Sequence, residues 1–166
     1  MASCVSMDKV VSLAMKDRGN IESHLLALSA EERELRFFSP VSDTTIRDFA
    51  QRFKFGSDVA FGIFESVRGK VSLVALATLS VSIPETHRQE GGLEAELGLS
   101  VHKNFQKKGF GSQLVTHIQD YASKNNISRV HVFWLRTNSA MEKLMKKHGE
   151  HFSGDGLVAQ GVLKLN

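Results

Sequence analysis

Apolar side chains recur along this chain with two different periods, and each change of period marks a change of element. The opening run Lys9 to Met15, KVVSLAM, reads as a first strand, with a helix as the alternative, and Gly19-Asn20 breaks it. Ile21 to Leu28 is predicted to be helical. Ser29-Ala30-Glu31-Glu32 has the serine and glutamate spacing of a capping box, opening a further turn or two through Leu35 and Phe38. Pro40 stops that element. Asp43 is placed to cap another helix, with Ile46, Phe49, Ala50 and Phe53 on one side, ending near Gly56.

From Asp58 the pattern turns strand-like. Asp58 to Ser66 and Val71 to Val81 are rich in Val, Phe, Leu and Thr, and Val67-Arg68-Gly69-Lys70 between them predicts a hairpin. Ser82 to Gly92, with Pro84 and Gly91-Gly92, is polar and reads as a loop. Glu94 to Val101 reads as a strand, and Gln106 to Gly111 as a short basic glycine loop. A helix follows, with Phe110, Leu114, Ile118, Tyr121 and Ala122 repeating at 3.6 residues. Ile127 to Leu135, ISRVHVFWL, is apolar enough to predict a strand buried on both faces. Asn138 to His148 is a short helix with Met141, Leu144 and Met145 on one face, and Gly149 is placed to end it. Leu157 to Leu165 alternates toward a last strand. An opening strand, helices, a hairpin and then β-α-β-α-β predict an α/β (α+β mixed) fold, one mixed sheet with helices on both faces.

Composition narrows the class. At 166 residues the chain suits one domain, taken as residues 1–166, since no repeat or low-complexity linker divides it. A hydrophobic share of 42% and a charged share of 23% are ordinary for a globular protein. The net charge of +3 accommodates an anionic ligand, but basic and acidic residues are interleaved, so no nucleic-acid partner is expected. The one cysteine, Cys4, excludes an internal disulfide and a cysteine-based zinc site. Seven histidines show no ligand spacing, so no metal is expected. With no signal-peptide pattern and no membrane-length apolar run, the expected setting is cytoplasmic, away from membranes.

The chemistry centres on Gln106-Lys107-Lys108-Gly109-Phe110-Gly111. A strand-to-helix junction aims unpaired N–H groups at one spot, at the positive end of a helix dipole. The glycines allow close backbone approach and the lysines add charge, which predicts an anion site suited to a pyrophosphate. A plain turn with solvated lysines fits the loop equally well. A nucleotide hydrolase of the P-loop type is a poor alternative, because G-x-x-x-x-G-K-S/T is absent.

Val101 to Gly111 has the spacing V-x-x-x-x-Q-x-x-G-x-G, which resembles the acyl-CoA signature of the GNAT superfamily of N-acetyltransferases. Asn138-Ser139-Ala140-Met141, then Leu144 and Gly149, is similar to the run that this family places after its next strand. Leu28-Ser29-Ala30-Glu31-Glu32 with Leu35-Arg36-Phe37-Phe38 resembles the opening of GNAT proteins that include bacterial protein acetyltransferase domains. The likeness extends from about Leu25 to Phe152. It implies a single GNAT-like domain with a central mixed, largely antiparallel sheet, and acetyl-CoA as co-substrate. It also implies transfer of an acetyl group to a primary amine of a small molecule or protein by direct attack on the thioester. Homodimers are common in the family.

By the same resemblance, the backbone of Leu99, Ser100 and Val101 pairs with the pantetheine arm. Gln106, Lys107, Lys108, Gly109, Phe110, Gly111 and Ser112 give N–H groups to the pyrophosphate. Asn138 and Met141 lie along the thiol end. Lys103, Lys107 or Lys108 is expected to reach the adenosine phosphates. Several GNAT enzymes use a glutamate on this strand as general base, which makes Glu96 the catalytic candidate and Glu94, on the same face, the fallback. One departure stands out. Met145 occupies a position where many GNAT enzymes carry a tyrosine proposed to protonate the thiolate, and the sole tyrosine, Tyr121, lies on an apolar helix face. A catalytically silent module that binds acyl-CoA, as a sensor or partner domain, is therefore the alternative. Trp134 is expected either to line the substrate site or to pack.

Overall fold

The computed structural model describes residues 9–82 and 92–166. Seven strands form one sheet: β1 (Val11–Leu13), β2 (Val59–Val67), β3 (Lys70–Ser82), β4 (Leu93–Val101), β5 (Ile127–Leu135), β6 (Gly149–Ser153) and β7 (Val158–Leu163). Their order is β1-β2-β3-β4-β5-β7-β6. Every neighbouring pair is antiparallel except β4 and β5, which run parallel. That parallel step needs a crossover, which α4 (Phe110–Lys124) supplies. The other helices are α1 (Arg18–Leu26), α2 (Ala30–Phe37), α3 (Asp43–Arg52) and α5 (Ser139–His148).

The apolar stripe of α4 dictates one core. Phe110, Leu114, Val115, Ile118 and Ala122 bury against Leu79, Ala95, Leu97, Val130 and Val132. On the opposite face Ile21, Leu25 and Leu28 join Ile46 and Phe53 over Ala60 and Leu76. Arg18 fastens this second layer by donating to Gln51 O at 2.8 Å and Phe53 O at 3.3 Å, carbonyls left open where α3 ends. The sheet thus carries helices on both faces, as its element order predicts.

Most elements lie where the pattern puts them, and the differences have local causes. Gly19 and Asn20 do not break the chain but fall inside α1. The turn is made earlier, where Asp17 Oδ2 accepts the Ala14 N–H at 2.9 Å. The capping box forms in full: Ser29 Oγ accepts from Glu32 N at 3.2 Å, and Glu32 Oε2 accepts from Ser29 N at 2.7 Å. For α3 the cap is Ser42, whose Oγ accepts from Thr45 N at 3.2 Å. Asp43 sits in the first turn and pairs with Arg33 at 2.8 Å. Strand β5 is not buried on both faces. Val130, Val132 and Trp134 are buried, whereas Arg129, His131 and Phe133 face the side that α2 covers in part. Most of the polar loop expected over Ser82 to Gly92 lies outside the described residues.

Strand β6 is absent from the sequence reading, because Gly149 to Ser153 has one buried residue and no alternation. It starts directly after α5, and Gly149 does end that helix, though not in the left-handed conformation. Its φ is −105°. A Cβ there would stand 2.8 Å from Met145 O and 2.5 Å from Met145 Cε. Backbone oxygen cannot swing aside. Gly149→Ala should therefore destabilise the fold by about 1–3 kcal/mol, read as a lower urea midpoint. An unchanged midpoint would mean that the α5–β6 junction relaxes freely.

Candidate functional site

Strands β4 and β5 stay paired from Leu93↔Ile127 to Leu97↔Val132, and then part. Beyond that point β4 runs on to Val101 with β3 on one side and, among the described residues, no strand on the other. The parting opens a cleft of about 580 Å³. Its walls are the free end of β4, the loop into α4, the first turns of α5, and α2 with Leu28.

The loop is shaped by two left-handed residues, Lys107 with φ 61° and Gly109 with φ 82°. Gln106 Nε2 donates to Val101 O at 3.0 Å, tying the loop back to the strand. The first helical bond of α4 runs from Gln113 N–H to Gly109 O at 3.0 Å, so the N–H groups before it have no intrahelical acceptor. Gly111 lies between Leu99 and Leu144, where a Cβ would come within 3.2 Å of Leu144 Cδ1. The Phe110 side chain is buried in the core, which leaves its backbone to face the cleft.

Expected residues gather here unevenly. Leu99, Ser100, Val101, Gln106, Lys107, Gly109, Phe110, Gly111, Ser112, Asn138 and Met141 all line the cleft. Lys103 and Lys108 do not, and Lys108 Nζ lies 4.9 Å from the Phe105 ring centroid. Asn138 Oδ1 caps α5 by accepting from Met141 N at 3.1 Å. Glu96 is exposed and lines a small cavity of about 30 Å³ at the strand fork, which shares Leu35, Arg36, Leu99, Asn138 and Met141 with the larger cleft. Glu94 is committed elsewhere, accepting from His131 Nε2 at 2.9 Å with Arg129 at 3.6 Å. Trp134 is buried and donates to Glu142 Oε2 at 2.8 Å. Among the described residues no group of three His, Cys, Asp or Glu side chains is placed to hold a metal ion.

Three groups in the site went unread in the sequence. Lys143 and Lys147 of α5 line the cleft opposite the loop. Lys147 Nζ donates to Ser112 Oγ at 3.3 Å, and Ser112 lies 2.9 Å from His148 Nε2. Burial, with Lys147 and Lys164 nearby, pushes the His148 pKa down. Arg36 reaches the cleft from α2. Lysines on the polar side of a short helix look like a solvated face, and the stretch Leu35-Arg36-Phe37-Phe38 marks Arg36 by resemblance without giving it a role. The third is His24, buried behind β4. Its Nδ1 donates to Leu73 O at 2.9 Å, and its Nε2 accepts from Ser100 Oγ at 2.8 Å. Ser100 is thus tied down from behind the cleft.

This arrangement suits an extended anionic ligand. One end offers unpaired N–H groups and three lysines, the middle a free strand edge, and the inner end a small cavity with one carboxylate and one guanidinium. A model of the acetyltransferase (GNAT) family matches residues 27–149. No curated protein matches the chain. Among solved structures, the GNAT domain of S. lividans PAT is 22% identical with a TM-score of 0.72, over 94% of this chain and 89% of that one. A GNAT-family acetyltransferase from Streptococcus pneumoniae is 14% identical with a TM-score of 0.65, over 93% and 95%. Arabidopsis thaliana NAA60 in complex with acetyl-CoA is 13% identical with a TM-score of 0.61, over 93% and 95%. At such identities the likeness is one of fold.

The His24 clamp has a pH signature. Burial above all lowers its pKa from 6.5 to about 4. The unfolded chain therefore binds the proton more readily, and this contribution is full above pH 6.5 and lost as the pH falls toward 4. The loss amounts to about 3 kcal/mol. Urea midpoints between pH 7 and 4 should record it, and His24→Gln should flatten the profile. An equally steep fall in that variant would assign the acid sensitivity to other groups.

Proposed function

The chain belongs to the GNAT family of acetyltransferases, and on that footing we propose that it acetylates a primary amine of a small molecule or protein, with Glu96 as general base. Its reaction is acyl-CoA-dependent acetyl transfer, with acetyl-CoA as co-substrate. The observation that carries the proposal is the meeting, in one cleft, of the free β4 edge with the N-terminus of α4. In this reading the backbone of Leu99 to Val101 holds the pantetheine arm. Gln106, Lys107 and the residues from Gly109 to Ser112 hold the pyrophosphate, and Asn138 and Met141 flank the thiol end. Lys107, with Lys143 and Lys147, is the cation set for the adenosine phosphates. We read residues 1–166 as one acetyltransferase domain. A cytoplasmic setting fits its single cysteine.

Acetyl-CoA supplies the activated acetyl group. The chain must supply a neutral amine and a place for charge. A lysine-type amine has a pKa near 10.4, so about one in a thousand is unprotonated near pH 7. Glu96 takes that proton directly or through one water, and its exposure gives the proton a way out to solvent. Glu94, held by His131 and Arg129, is not free to share the task. A backbone N–H near Leu99 to Val101 serves as donor to the developing oxyanion. The likeness of Leu35-Arg36-Phe37-Phe38 to protein acetyltransferase domains favours a protein lysine as acceptor.

Titration calorimetry with acetyl-CoA tests the cleft. Gly111→Glu puts a carboxylate into the gap beside Leu144 and should abolish binding. Retained affinity would remove the loop as the anion site. Glu96→Gln should keep binding while kcat falls about 10²- to 10⁴-fold. Equal turnover would move the base elsewhere. A thiol-release assay across amines and peptides identifies the acceptor, and silence with every amine would leave acyl-CoA binding alone.

A further inference from the structure

Arg36 is the one cation shared by the cleft and the small cavity at its inner end, among the described residues. Its side chain leaves α2 and lies across β4 at Gly98, where any Cβ would collide with the guanidinium. Nη2 donates to Thr78 Oγ1 at 3.1 Å. The Phe37 and Phe49 ring centroids lie 4.8 and 5.8 Å from its central carbon. The group is therefore fixed in place, yet that single hydrogen bond engages one of its five N–H donors. Nε is buried without a partner, and no carboxylate among the described residues comes within salt-bridge distance. Burial lowers its pKa to about 10, against the opposing pull of Glu96, so it is cationic at neutral pH. A half-buried guanidinium with one hydrogen bond and a buried, unpartnered Nε is stabilised when an anion forms beside it.

Acyl transfer forms such an anion on the departing sulfur. The residues that line the small cavity include no Tyr, Cys, His or Lys that would protonate it. Tyr121 packs on Phe61 with centroids 5.1 Å apart, and Met145 is buried. We propose that Arg36 is the electrostatic partner of the CoA sulfur as it leaves as a thiolate, in place of a general acid. This rests on the reading of the cleft as the acetyl-CoA site. The amine nitrogen bonds to the carbonyl carbon, and its proton passes to Glu96. The C–S bond breaks with its electron pair on sulfur, which departs beside the guanidinium. Water later takes the proton from Glu96 and supplies one to the released thiolate. The charged and titratable groups that bear on Arg36 are Glu96 from β4 and His24 from α1, and Glu32, one turn back on α2, lines the same cleft.

The product itself reports this charge. Thiolate absorbance of CoA bound to the wild-type protein, followed against pH, should show a thiol at least about ten-fold more acidic than in free CoA. Arg36→Gln should return it to the free value, and Arg36→Lys should keep part of the shift. Turnover of Arg36→Gln should fall about 10²-fold. Desulfo-CoA, which lacks the sulfur, should bind wild type and Arg36→Gln alike. Arg36→Met, with the same expected titration, replaces Arg36→Gln if the latter does not bind desulfo-CoA. A bound thiol that titrates like free CoA in the wild type overturns the assignment without any variant. So does equal thiol acidity in wild type and Arg36→Gln. Failure of the wild type to bind desulfo-CoA would instead overturn the reading of the cleft.

Discussion

Strand β4 obeys two demands that pull against each other. Over Leu93 to Leu97 it is an interior strand, hydrogen-bonded on both sides and held by Ala95 and Leu97 in the core under α4. Over Gly98 to Val101 it keeps one neighbour and offers its other edge. An open edge in the middle of a sheet is normally a hazard, since it invites another strand. Here it is hemmed in by the loop, α2 and α5, so what reaches it must be narrow and extended. The loop is pinned to the same strand through Gln106 and Val101. The loop, the fork and Glu96 therefore keep a fixed relation to one another.

Charge follows the same axis. Lys107, Lys143 and Lys147 stand around the mouth, while the inner end carries Arg36 beside Glu96. The two ends are electrostatically distinct, which orients a long anionic ligand before its fine contacts form. Behind the strand, His24 and Ser100 form a buried, satisfied polar pair. Such pairs rigidify when every member has a partner, as both do here.

Much of this was legible in the residues, and for physical reasons. Strands and helices announce themselves through period, so β4, α4 and β5 were found within a residue or so. The capping box at Ser29 and Glu32 is a two-residue chemical signature, and it formed as written. What escaped notice depends on partners far away in sequence. Strand β6 is an edge held by its pairing with β7, so its own residues carry no alternation. Arg36 meets Thr78 and Gly98 across more than forty positions, and one glycine in a strand does not disclose that a guanidinium will lie on it. The hold of His131 and Arg129 on Glu94 is likewise a contact between strands more than thirty positions apart.

The direct join between α5 and β6 fixes the length of the chain as firmly as its chemistry. His148 closes the helix while bonded to Ser112, and Gly149 opens the strand opposite Leu163. With no linker between them, one inserted residue would reverse which face each β6 side chain meets and drive a Cβ-bearing residue against Met145 O. Insertions there are thus forbidden ground. The exposed tip between β6 and β7, at 154–157, is no freer, because Arg136 donates from Nε to Gly156 O at 2.7 Å and from its backbone N–H to Leu157 O at 2.9 Å, beside the Thr137 and Asn138 that line the cleft.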